Sequence, residues 1–118
     1  MIDIAVSDLH AGSTLGLWPP DMQNDEGSPL PQNKFQQWLW DRWLDMLAEV
    51  RRLREKMPGE VVVATVCGDL IQGSHEKDAQ LTTADTSVQA EGGYRALKEL
   101  RELVDEMYLL HGTAWHGG

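Results

Sequence analysis

The stretch that decides the fold is Val61-Val62-Val63-Ala64-Thr65-Val66-Cys67-Gly68-Asp69-Leu70-Ile71-Gln72-Gly73. Seven small or β-branched residues run without a charge and then stop at Gly-Asp. Such a run reads as a strand covered on both faces, as found inside a parallel sheet. Gly68 frees the backbone to turn and leaves Asp69 at the strand's carboxyl end. Open α/β sheets place their ligands along that edge.

Working outward, Ile2 to Ser7 is the first strand, with Ile2, Ile4, Ala5 and Val6 apolar. It gives way to the polar turn Ser7-Asp8-Leu9-His10-Ala11-Gly12-Ser13. Residues 13–32 hold Pro19, Pro20, Pro29 and Pro31 together with Asp21, Asn24, Asp25 and Gly27, and read as a long loop near the site. Leu15, Leu17 and Trp18 are expected to pin its start to the body. Asn33 and Gln36 then form a capping box for a helix. Leu39, Trp43, Met46, Val50, Leu53 and Met57 make its apolar stripe, Arg51 and Glu55 pair on its wet side, and Pro58-Gly59 ends it. Of Trp38, Trp40 and Trp43, the last is assigned to the core and the others to covering a neighbouring layer or the loop.

Beyond the central strand, a polar segment over residues 74–83 leads into a second helix. This runs from Asp85 or Thr86 to Glu106, with Val88, Leu97, Leu100, Val104 and Met107 inward. Gly92-Gly93 weakens it by roughly 1–2 kcal/mol against alanine. The pair marks either close packing on the sheet or a later start near Tyr94. Residues 107–110 form a third short strand, followed by His111-Gly112-Thr113-Ala114-Trp115-His116. The order is strand–loop–helix–strand–loop–helix–strand. The reading is a single α/β domain over residues 1–118, with a parallel βαβαβ sheet and flanking helices. Right-handed crossovers put all three post-strand turns on one edge.

The bulk composition agrees. Of 118 residues, 42% are apolar and 25% charged, as in an ordinary globular domain. No run approaches the ~18 apolar residues of a transmembrane helix, and Met1-Ile2-Asp3-Ile4 lacks the basic start of a signal peptide. Neither a membrane partner nor secretion is expected, and a reducing cytoplasm is the expected compartment. The lone Cys67 reads as a buried structural thiol. Ten basic against 19 acidic residues give a net charge of −9. That disfavours a nucleic-acid partner at long range but leaves room for a phosphoester held locally by cations.

The three strand-end turns contain Asp8 and His10, then Asp69 and His75, then His111, Thr113 and His116, and so hold every histidine in the chain. Carboxylates mixed with imidazoles suit Mn, Fe or Zn better than Ca or Mg. In Asp8-Leu9-His10, alternate residues of an extended backbone share a side. Two carboxylates ~5 Å apart repel by roughly 3 kcal/mol at an effective dielectric of ~20, a conflict that a divalent ion removes. The competing reading is that Asp8 and Asp69 are turn formers or caps that never meet. His75 is either a ligand, a substrate contact or a plain loop histidine, and His111 is equally open.

Asp8-Leu9-His10, Gly68-Asp69-Leu70-Ile71-Gln72 and Gly112-Thr113-Ala114-Trp115-His116 resemble the first three motifs of calcineurin-like metallophosphoesterases. Those read Asp-x-His, Gly-Asp-x-x-Asp/Asn and Gly-Asn-His-Asp/Glu, each after a strand. The resemblance spans essentially the whole chain and implies the N-terminal half of an α/β/β/α sandwich. It also implies two divalent ions (Mn, Fe or Zn), with Asp8 and His10 on the first, Asp69 bridging and Thr113 on the second. The implied reaction is hydrolysis of a phosphomonoester or phosphodiester by a metal-activated hydroxide. His75, outside these motifs, is the candidate substrate contact. Three departures stand out. Gln72 replaces an acidic or Asn residue, beside the ligand set rather than within it. Thr113 replaces a metal-binding Asn with a poorer neutral ligand. Ala114 replaces a histidine often cast as general acid, and His116 is its candidate replacement as a catalytic residue. The family's two further histidine motifs belong to a C-terminal half. The expectation is therefore a fragment of a longer protein. The alternatives are a partner that supplies the rest or a shortened form that binds metal poorly. The exposed sheet face of half a sandwich leaves room for a homo-oligomer. The alternative function is a non-catalytic metal-binding or protein-binding scaffold derived from the fold. A nucleotide-binding domain would want a Gly-x-Gly-x-x-Gly turn, which Ala11-Gly12-Ser13 does not supply.

Overall fold

The computed structural model describes residues 1–73 and 81–111. Five elements follow the expected order: β1 (Ile2–Ser7), α1 (Lys34–Lys56), β2 (Val62–Gly68), α2 (Thr86–Leu103) and β3 (Glu106–His111). The strands are parallel and lie in the order β1-β2-β3, with Ile2 opposite Val62 and Val63 opposite Glu106. Among the described residues, no helix is long and apolar enough to cross a membrane.

That strand order decides how the layers form. Both crossovers step the same way across the sheet, so right-handed connections put both helices on one face. Ile2, Ile4, Val6, Val62, Ala64, Val66 and Met107 form that face and pack against Trp43, Leu47, Val50, Leu97 and Leu100. A fully buried leucine such as Leu47 or Leu100 contributes about 1.5–3 kcal/mol by leaving water. The opposite face carries Asp3, Ala5, Ser7, Val63, Thr65, Cys67, Tyr108 and Leu110 (register partners share a face); no described helix covers it, although Val63 on it is buried. The expectation of cover on both faces of β2 is thus corrected. Cys67 is corrected with it: the thiol lies on the open face and is half-buried, not buried.

The helix α1 begins as expected. Asn33 Oδ1 accepts the Gln36 N–H at 2.8 Å, and Gln36 Oε1 accepts the Asn33 N–H at 2.8 Å. Its inward face is the expected stripe broadened by Gln36 and Leu47, with Leu39 and Met46 half-buried on the core. Gln36, Trp43, Leu47 and Val50 are buried, while Met57 is exposed. The wet-side ion pairs are Arg42–Asp45 and Arg52–Glu49, at i,i+3, in place of Arg51–Glu55. Trp38 covers no other layer. It is exposed, with Phe35 5.9 Å away and the Arg42 guanidinium 5.9 Å over its ring.

Asp85 caps α2 by accepting the Ser87 and Val88 N–H groups. The Ser87 hydroxyl and N–H hold its carboxyl below the usual range, and its hydrogen bond to Asp25 pushes that neighbour up. Gly92-Gly93 lies inside the helix and marks close packing, but against loops. A Cβ at Gly92 would stand 2.6 Å from the Trp18 ring, and one at Gly93 would stand 3.1 Å from Leu70. The helix ends at Leu103, three residues early, where Val104 turns extended, and β3 starts at Glu106.

The proline-rich loop is packed. Trp18 and Met22 are fully buried against Ala11 and Val88. Trp18 Nε1 donates to the Leu30 carbonyl at 3.1 Å, and the Asn24 side chain accepts from the Glu26 and Ser28 N–H groups, closing the tip. Leu17 and Trp18 anchor the loop as expected, whereas Leu15 is exposed.

Candidate metal centre

Where β1 and β2 end, their backbones keep pairing as turns. The N–H groups of Asp8, His10 and Ala11 donate to the carbonyls of Cys67, Asp69 and Leu70 at 2.9–3.0 Å, and Gln72 N–H donates back to Ala11 at 2.9 Å. This ladder of turns puts Asp8, His10 and Asp69 side by side. One ligand atom from each of the three lies within 4.8 Å of the others. His10 Nε2 is 4.0 Å from Asp8 Oδ1 and 3.9 Å from Asp69 Oδ2. The reading in which the two aspartates never meet does not hold.

They meet by a different route from strand alternation. The strand β1 stops at Ser7, and Asp8 and His10 adopt left-handed φ values of 55° and 47°. Asp and His are among the residues enriched there, yet each such position costs on the order of 1 kcal/mol or more. Two strained residues around a buried Leu9 swing both side chains to the solvent end of the sheet. Gly68 makes room for them. Its φ is 79°, and a Cβ there would stand 1.9 Å from Asp8 Oδ1. That same oxygen accepts the Asp69 N–H at 3.2 Å.

Burial is graded across the cluster. The side chain of Asp69 is 8% exposed, that of His10 32% and that of Asp8 57%. An ion would approach from Asp8's side, with Asp69 as its floor. Carboxylates at this separation repel by about 3 kcal/mol, less the screening that water gives Asp8.

Gln72 sets the imidazole. Its Oε1 lies 3.0 Å from His10 Nδ1. With the amide oxygen as acceptor, Nδ1 is the nitrogen that donates to Gln72, and Nε2 is the nitrogen turned toward the two carboxylates. Two carboxylates and an imidazole nitrogen form an oxygen–nitrogen donor set suited to Mn, Fe or Zn. A hydrogen bond from the far ring nitrogen is what orients metal-ligating histidines. The residues fit a divalent cation.

Two glutamines escaped the sequence reading. Gln89 is fully buried; its Oε1 accepts the Gly73 N–H at 2.8 Å and its Nε2 donates to Thr83 at 2.8 Å, fixing the exit from the Asp69 turn. Its side chain also fills the space beside Gly12, where a Cβ would come within 2.4 Å. Beyond its capping role, Gln36 reaches the Ser13 carbonyl at 3.2 Å and Thr82 Oγ1 at 3.1 Å. The capping-box spacing revealed only the local half of that role. His111 ends β3 in register with Gly68. His75, Thr113 and His116 lie outside the described residues, and so do the second-metal, substrate-contact and general-acid assignments that rest on them. Comparison with protein-family models, with curated proteins and with solved structures found no match to this chain.

Proposed function

We propose that this chain carries the metal centre of a metal-dependent phosphoesterase of the calcineurin-like kind, hydrolysing a phosphomonoester or phosphodiester. The observation that carries the reading is the convergence of Asp8, His10 and Asp69 from two adjacent parallel strand ends to within 4.8 Å. Asp69, the buried member, anchors the site through the β2 turn. Asp8 supplies an oxygen already braced by the Asp69 N–H. His10 contributes Nε2, its proton held on the opposite nitrogen by Gln72. A bound divalent ion would supply Lewis acidity, activating water and offsetting the charge that develops at phosphorus. On a chain of net charge −9, such a centre would reverse the local sign and favour a phosphate. Thr113 as a ligand of a second ion and His116 as proton donor belong to this proposal, as does His75 against substrate.

The test is release of nitrophenol from an aryl phosphate with added manganese or zinc. Activity should appear with the metal, vanish with chelator and be abolished in Asp69→Asn. A parent protein whose hydrolysis ignores both metal and chelator would sink the reading. The open sheet face, with Tyr108 and Leu110 exposed on it, favours a second reading as a protein-binding scaffold. Tight capture of a partner chain without any metal binding would select it.

A further inference from the structure

Beside the metal centre, a cleft of about 300 Å³ opens between the carboxyl half of β1, residues 15–17 and the inward side of α1. Its walls include Leu17, Leu39, Trp43 and Met46, with Arg42 and Asp8 as the charged members. The volume is at the small end of ligand pockets, enough for one compact ring system and too little for a polymer. Asp8 lines the cleft and also belongs to the ligand cluster, so the two are neighbours that share this residue; His10 and Asp69 do not line the cleft.

The charged members have opposite roles. Asp8 faces the cation side. Arg42 brings a guanidinium to a protein whose net charge is −9, and it is steadied by Asp45 at 2.9 Å and by the Trp38 ring. A half-exposed arginine beside an apolar wall suits an anion that carries an apolar group. Trp43 adds a second feature: its indole Nε1–H is buried and has no hydrogen-bond partner among the described residues. That donor has no accessible surface of its own, so a ligand oxygen would reach it only if the Trp43 ring turned toward the cleft. The ring itself forms part of the apolar wall.

We infer that this cleft seats the organic group of the phosphoester, and that the group is compact and apolar, an aryl or branched alkyl. The inference rests on the phosphoesterase reading for the phosphate that Asp8, His10 and Asp69 address. It adds that the remainder of the substrate lies against α1. Sugar phosphates and nucleic-acid ends, polar and extended, fit the wall poorly.

The experiment is an NMR titration of this chain, loaded with zinc, with 1-naphthyl phosphate, inorganic phosphate and 1-naphthol in turn. The signals followed are the Trp43 indole N–H, the Leu39 methyls and the His10 ring. Naphthyl phosphate should shift all three sets and bind about tenfold more tightly than inorganic phosphate, which should move His10 alone. Naphthol should move Trp43 and Leu39 alone. Leu39→Trp, which fills the cleft, should bring naphthyl phosphate down to the affinity of phosphate. If that variant unfolds, Arg42→Gln on the exposed side serves instead. It should weaken naphthyl phosphate about twofold to fivefold and leave naphthol unchanged. Equal affinity for naphthyl and inorganic phosphate, or naphthyl shifts away from Trp43 and Leu39, overturns the inference. Failure of the phosphoesterase reading would show differently, as His10 signals that respond to neither zinc nor phosphate.

Discussion

The same device occurs at both ends of the sheet, with opposite consequences. At the amino end, Asp105 Oδ2 accepts the Val62 N–H at 2.9 Å and meets Arg54 at 3.2 Å. At the carboxyl end, Asp8 Oδ1 accepts the Asp69 N–H at 3.2 Å. The first aspartate is neutralised by a guanidinium, and the Val62 N–H and Arg54 together hold its carboxyl below the usual range. Asp8 is answered by a second carboxylate and an imidazole lone pair. One end is closed electrostatically and stitches β2 to β3. The other accumulates negative charge and electron pairs on a backbone held at positive φ, an arrangement that a bound cation completes.

The sharpest way to break that contrast is at Gly68. A Cβ there collides with Asp8 and must also adopt a φ of 79°. Gly68→Ala should lower stability by about 1–3 kcal/mol in urea denaturation and should weaken zinc binding at the same time. A variant as stable as the parent would show that the carboxylate is not held against the β2 turn.

Next in size is Gln72→Leu. Removing the acceptor frees the His10 ring, and zinc affinity by calorimetry should fall about 10- to 100-fold with little change in melting temperature. Unchanged affinity would mean that the imidazole is oriented by something else.

A smaller effect belongs to α1. Asn33→Ala removes one side of the capping box and should cost about 1 kcal/mol by chemical denaturation, leaving zinc binding intact. Loss of metal along with the cap would tie the helix to the centre more tightly than the contacts of Gln36 imply.

The smallest effect is at the amino end. The folded-state pKa of Asp105 is depressed, so the unfolded chain takes up that proton first on acidification. Its stabilising contribution is present above the unfolded carboxylate value and is lost as pH falls through the folded one. Asp105→Asn should therefore be less stable than the parent at neutral pH, with the gap closing in acid. A gap that widened in acid would contradict the assignment.

Much of this was legible in the chain. The apolar run ending at Gly68-Asp69 located the central strand, and parallel crossovers brought the Asp8 and Asp69 turns to one edge. The capping box marked the start of α1 because both partners are local. The failures share a cause in long-range geometry. The run of small β-branched residues does not itself say what lies over each face, so the face that no described helix covers was invisible. The left-handed turns at Asp8 and His10 look like an extended Asp-x-His until β1 is seen to stop at Ser7. Leu47 was missed because the buried face of α1 is wider than the stripe, which holds Trp43 and Val50 but stops short of it. Gln89 was missed because its role depends on Gly12, Gly73 and Thr83, which only the folded chain brings together.

The most direct test is a crystal of this chain soaked in manganese and measured for anomalous scattering. The account predicts a peak about 2.0–2.3 Å from an oxygen of Asp8, Nε2 of His10 and an oxygen of Asp69. A map with no peak there, or with manganese bound elsewhere while these three side chains stay as they are, would contradict it.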